Sequence, residues 1–242
     1  MFTFEQYLEH VTANADRLAA AAEAAGLDAP VPTCPEWNVE TLVRHSSRPL
    51  LWSTANVEAG GEMATPDQLE RAPKGEAALP FFRAAAATCV AALGAAGPEA
   101  PAWGWAGDGR AAFWARRMAH EMAMHRYDAQ SAAGSPQPID GELAADGIDE
   151  FLELLGSHPS GGAAAGTGET IHLHCTDRDG EWLVRREADG VRVAREHAKG
   201  DVAARGAASD LLLVLVSRAP VSSVEIFGDA DVFERWQADV SF

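Results

Sequence analysis

Two textures in one chain predict an α+β protein: a helical N-terminal part, then a small mixed domain. In residues 1 to about 157, apolar residues recur every three or four positions between widely spaced breakers, the period of amphipathic helices. From Ser157 to Gly168 the run SHPSGGAAAGTG is rich in Gly, Ala and Ser and reads as a linker. Beyond it the period becomes two, with Ile171, Leu173 and Cys175 alternating with His172 and His174, as in a half-buried strand. One domain is therefore expected over residues 1–157 and a second over 169–242.

The elements follow in chain order. Phe4, Tyr7, Leu8, Val11 and Leu18 form an apolar stripe that ends near Gly26. Asn38 is placed to cap a second helix through His45. Leu79 to Leu93 predicts a third helix, closed by Gly94 and Gly97, and Ala111 to Ala133 a fourth, closed by Gly134 and Pro136. The acid-rich segment Gly141 to Leu155 predicts a short helix with a solvated face. In the second part, Asp179-Gly180 and Asp189-Gly190 are hairpin turns around Trp182-Leu183-Val184 and Val191-Arg192-Val193. Ser209 to Val216 reads as a buried helix, Val224 to Phe227 as a strand, and Asp229 as the cap of a last helix through Trp236.

Composition removes several classes of partner. With 19 Lys+Arg against 36 Asp+Glu, the formal charge is −17, and no basic run offsets it. Such a surface repels phosphate backbones and anionic membranes, so neither nucleic acid nor membrane is an expected partner. The three cysteines, Cys34, Cys89 and Cys175, have no CxxC spacing, which excludes a disulfide framework and fits a reducing compartment. The start lacks a basic segment followed by an apolar stretch, so no signal peptide is expected and the location is read as cytoplasmic. Monomer and homodimer are both compatible with this surface.

The informative stretch runs from Met118 to Asp128. At roughly 100° per residue, Glu121 and His125 lie about 40° apart around the helix, one turn from each other. Asp128 falls on the same face. One helix can thus offer a carboxylate and an imidazole to one metal, with a second carboxylate beside them. His120 sits about 140° from His125, so the apparent HExxH motif is false. The bland alternative is a surface i,i+4 pair. Apolar Met118, Met122 and Met124 favour a packed helix, and His45 is a third ligand if its helix packs beside this one. Two His and one Glu leave open positions, as catalytic sites do.

Other candidates have weaker context. His172 and His174 share a strand face but show no partner, and read as exposed or core-edge residues. Cys34 precedes Pro35-Glu36-Trp37 and is a possible nucleophile or an ordinary packed thiol. His10, His158 and His197 read as surface residues. Trp103 and Trp105 either line a pocket or pack a loop.

The run Val31-Pro32-Thr33-Cys34-Pro35-Glu36-Trp37-Asn38-Val39 with Leu42-Val43-Arg44-His45 resembles the first signature of the mycothiol-dependent maleylpyruvate isomerase family. Phe113 to Glu121 continuing through His125-Arg126-Tyr127-Asp128-Ala129 is similar to its second signature. Ala207 to Leu213 and Glu225 to Ala230 are similar to its C-terminal domain. The resemblance implies a DinB-like four-helix bundle followed by a small domain like sterol carrier protein type 2 (SCP2-like). It implies a divalent metal, zinc above all, held by His45, Glu121 and His125, with Asp128 at a further acidic position. It also implies an arginine of the C-terminal domain that helps hold substrate, for which Arg218 is the candidate.

One departure stands out: Ser46-Ser47-Arg48-Pro49 follows His45. Proline at 49 lacks an N–H and clashes with the carbonyl of residue 45, so the helix should kink or stop there, at a cost of about 3 kcal/mol if continued. The expected function is a metal-dependent, mycothiol-using isomerase or S-transferase acting on a small electrophilic molecule. The alternatives are a metal-dependent hydrolase or isomerase that uses no low-molecular-weight thiol, and a ligand-binding protein without turnover.

Overall fold

The computed structural model describes residues 2–157 and 165–240, and the chain divides into two compact units, Met1–Gln137 and Pro138–Phe242. The first unit holds four long helices: α1 (Phe4–Ala25), α2 (Val39–Glu58), α3 (Ala78–Ala96) and α4 (Ala111–Ala132). α1 packs along α4 and α3, and α2 along α3 and α4, which makes a four-helix bundle. Leu18, Leu42, Leu50, Phe82, Leu93, Trp114, Met118 and Met122 are fully buried in its core. Thr3 and Gln6 close a reciprocal capping box at the start of α1, each side chain accepting from the other's backbone N–H. The stretch Gly75–Ala96 is long and apolar enough to cross a bilayer by composition alone. Here α3 turns Phe82, Ala85, Ala86, Cys89 and Leu93 into the unit's interior.

α2 does not stop at Pro49. It runs on for two more turns, because the segment beyond is anchored by its own packing. Leu50, Ser53, Thr54 and Asn56 are buried, the Trp52 indole donates to the Ala64 carbonyl, and Asn56 accepts from the Ala64 N–H. Such burial outweighs the loss of one helical hydrogen bond.

α5 (Gly141–Ser157) belongs to the second unit, so the division falls one helix earlier than the linker suggested. It packs against α6 (Ala208–Leu215) and against the strand β3 (Gly190–Ala194). Its acids are not uniformly solvated: Asp146 and Glu150 are buried. Residues 158–164 of the expected linker, His158 included, lie outside the described residues. Just after them, the Gly166 and Gly168 N–H groups already bond to the Glu187 and Arg186 carbonyls.

The sheet has the order β3-β2-β1-β4-β5, from β1 (Thr170–Cys175), β2 (Glu181–Glu187), β3 (Gly190–Ala194), β4 (Val202–Gly206) and β5 (Glu225–Gly228). β1 to β3 form an antiparallel meander, β4 lies parallel to β1, and β5 is antiparallel to β4. Gly190 turns the second hairpin with φ 136°, in the region that favours glycine. Ile171, Leu173, Trp182, Val184, Val202 and Ala204 are buried on one face, and α6 packs on β1 and β4 while α7 (Ala230–Asp239) packs on β4. His172, His174 and Glu181 occupy the other face.

Candidate functional site

α4 sets the site's register. Trp114, Met118 and Met122 bury one stripe of it, and Glu121, His125 and Asp128 project from another. The His125 Nε2 lies 3.2 Å from Glu121 Oε2, while its Nδ1 lies 2.9 Å from Asp128 Oδ2. Asp128 is fully buried, and its other oxygen accepts from the Thr33 hydroxyl at 2.6 Å. Thr33 arrives on a tightly wound loop: Val31 donates to the Trp37 carbonyl, and Trp37 to that of Cys34. The same loop sets the Trp37 ring 4.6 Å from that of His45. The His45 ring stands 5.1 Å from that of His125 at 83°, so α2 and α4 bring the two imidazoles together edge to face. His120 is buried on another side of α4, toward Tyr7 of α1, consistent with the false HExxH reading.

Electrostatics keep the pair charged. Burial opposes ionisation of Glu121, but the Arg117 guanidinium at 3.5 Å and the His125 hydrogen bond prevail, holding its carboxyl well below the usual range. Burial likewise opposes a proton on His125, yet the hydrogen bonds to Asp128 and Glu121 push it up to about 9. A cation would take the place of that proton. The donor set suits one: Asp128 holds Nδ1–H and leaves Nε2 facing Glu121, the carboxylate–histidine arrangement that orients metal-ligating imidazoles. Tetrahedral donors about 2.0–2.1 Å from zinc stand about 3.4 Å apart, close to the observed Nε2–Oε2 separation.

Arg218 lies in the second unit just after α6, half-buried, with its guanidinium donating to the Val216 carbonyl at 3.1 Å. Cys34 is half-buried in the Thr33 loop. Burial pushes the Cys89 and Cys175 thiols up to about 11, so neither is a thiolate at neutral pH. Trp52, Trp103, Trp105, Phe113 and Trp114 pack into one aromatic cluster in which Trp52 and Trp105 stack at 5.6 Å.

Sequence reasoning missed a second cluster. His172, His174 and His197 all meet Glu181. His174 Nδ1 is 2.8 Å from Glu181 Oε1, and His197 Nδ1 is 2.6 Å from Oε2. His172 Nε2 is buried and reaches Glu181 only at 3.5 Å, too far for a good hydrogen bond. Burial holds the His172 imidazole below its ordinary range against the pull of Glu181. A usable signal existed, since His174 and Glu181 flank the Asp179-Gly180 turn.

Comparison with known proteins places the chain. Among curated proteins, none matches it in sequence. A crystal structure of the mycothiol-dependent maleylpyruvate isomerase superposes with a TM-score of 0.64 at 12% identity, covering 93% of each chain. A histidine-to-alanine mutant of that isomerase superposes at 0.67 and 11% identity, again over 93% of each. At these identities the likeness establishes the fold. The model of the mycothiol maleylpyruvate isomerase N-terminal domain matches residues 8–130, and that of the MDMPI C-terminal domain residues 142–235. With nearly the whole length accounted for by these two matches, the chain belongs to the mycothiol-dependent maleylpyruvate isomerase family.

Proposed function

We propose that this protein is a cytoplasmic mycothiol-using isomerase of a small electrophilic substrate, with a divalent cation, zinc first, held by His45, Glu121 and His125. The observation that carries the reading is His125, whose Nε2 faces Glu121 at 3.2 Å while Asp128 holds its other nitrogen. When bound, such a cation lowers the pKa of a thiol from about 8.5, so that the thiolate forms at neutral pH. The Cys89 and Cys175 thiols, held near 11, do not offer that nucleophile.

The protein's residues do the positioning. Asp128 keeps the proton on His125 Nδ1 and the ring in one orientation, and Thr33 keeps Asp128 in place. Arg117 balances Glu121. Arg218 is the candidate to pair with an anionic group of the substrate. For isomerisation, the thiolate adds to a double bond conjugated with a carbonyl, the former double bond rotates, and elimination returns the thiol unchanged. S-transfer would instead retain the new C–S bond and expel a leaving group.

The test is metal content followed by turnover of maleylpyruvate, with and without mycothiol. The expected result is about one cation per chain at this site, lost in His125→Ala, and isomerisation that needs the thiol. Equal rates without any thiol would remove mycothiol from the reading. Full metal occupancy in His125→Ala would remove the ligand set.

A further inference from the structure

We propose that the second unit carries its own divalent transition-metal site, made by His172, His174, Glu181 and His197 on the open face of the sheet. Each of the four offers one ligand atom, and these atoms all lie within 4.8 Å of one another. Three imidazoles and one carboxylate are a donor set suited to zinc, nickel or cobalt, not to calcium or magnesium.

The sheet builds the site. His172 and His174 share a face of β1, and β1 is pinned on both sides by β2 and β4. The antiparallel register sets Glu181 directly opposite His174, so their side chains emerge together. His197 comes from the segment after β3. Ring planes cross at 61°, 90° and 75° for the three histidine pairs, so the nitrogens converge from different directions, not from a parallel stack. His172 is nine-tenths buried, and its Nε2 points into the group without a good hydrogen-bond partner. A metal would give that nitrogen, deprotonated, a partner.

Access and charge also fit. His174, Glu181 and His197 line an open cleft of about 710 Å³, which provides an entry path. The arginines nearby are already engaged: Arg178 with Asp177, Arg195 with Asp149 across 3.3 Å, and Arg205 with Glu225 across 3.6 Å. They do not cancel the carboxylate of the site.

The experiment strips the full-length chain with a chelator, adds zinc alone, and counts zinc retained after desalting, with cobalt absorption as a second readout. The wild type is expected to retain two ions and His125→Ala one. Glu181→Gln or His197→Ala should each remove one ion and weaken the site by more than about 100-fold, beyond the 10–100-fold typical of outer-sphere partners. Combining His125→Ala with His197→Ala should leave none. His197 is largely exposed, so its removal leaves the core untouched, and far-UV circular dichroism checks that. A single ion lost with His197 but kept in His125→Ala would support this site and sink the one on the helical bundle. The proposal is overturned if zinc count, affinity and cobalt spectrum in the His125→Ala background do not change on adding His197→Ala or Glu181→Gln.

Discussion

Replacing Asp128 with Asn removes one charge and almost no volume. Asp128 is fully buried, takes the Thr33 hydroxyl at 2.6 Å, and holds His125 Nδ1 at 2.9 Å. A carboxylate accepts both bonds, whereas an amide offers one acceptor and one donor. If the amide oxygen keeps Thr33, its NH2 group faces His125 Nδ1 and drives the imidazole proton to Nε2, the nitrogen a metal needs. If it keeps His125, Thr33 loses its acceptor. Either way a charge-assisted buried bond worth about 1.5–3 kcal/mol is lost. Zinc affinity at the bundle site should fall 10- to 100-fold, or about 1.4–2.7 kcal/mol. Chelator competition in the Glu181→Gln background isolates that site, and urea unfolding of the metal-free chain reads the stability loss. Unchanged affinity together with unchanged stability would refute the orienting role. Complete loss of zinc would make Asp128 a ligand and not a support.

The metal-free chain should lose stability as pH rises. His125 is raised from 6.5 to about 9, so its contribution is complete below about 6.5 and gone once pH passes 9. Urea midpoints between those limits should fall by the equivalent of at most about 3 kcal/mol; a rise would contradict the ion pair. Zinc uptake at neutral pH should therefore release a proton from His125, seen as a calorimetric heat that varies with buffer ionisation enthalpy. Pro49→Ala restores an N–H within α2 and should stabilise the chain by up to about 3 kcal/mol with zinc binding retained, whereas destabilisation would show that the proline is needed for the packed helix. Phe82→Ala, at a fully buried position, should cost about 3–5 kcal/mol, and a loss under 1 kcal/mol would mean the bundle closes around the gap.

The helical bundle and the face bearing Glu121, His125 and Asp128 were legible because their information is local. Helical spacing alone sets which residues share a face, and Asn38 and Asp229 cap where their side chains predict. What failed depended on distant partners. Pro49 reads as a kink or a stop, and that the helix runs on is decided by the packing of Leu50 and Asn56. The unit to which α5 belongs is decided by α6 and β3, far away in sequence. β4 went unread because Val202-Ala203-Ala204-Arg205-Gly206 has little β-branched character, and its strand status comes from parallel pairing with β1. His172 and His174 lacked a visible partner because Glu181 reaches them through strand register and His197 through a return of the chain.

The placement of the seven tryptophans makes this molecule its own optical instrument. Trp37 lies 4.6 Å from His45 and 6.3 Å from His125, so its emission should respond to whatever charge those rings carry. The stacked Trp52–Trp105 pair beside Trp103 and Trp114 gives the bundle a coupled chromophore whose near-ultraviolet dichroism vanishes only when that end melts. Trp182 and Trp236 are fully buried in the sheet unit and report on it separately. Single-tryptophan replacements would thus let the two halves of the chain be watched unfolding independently, without an added label.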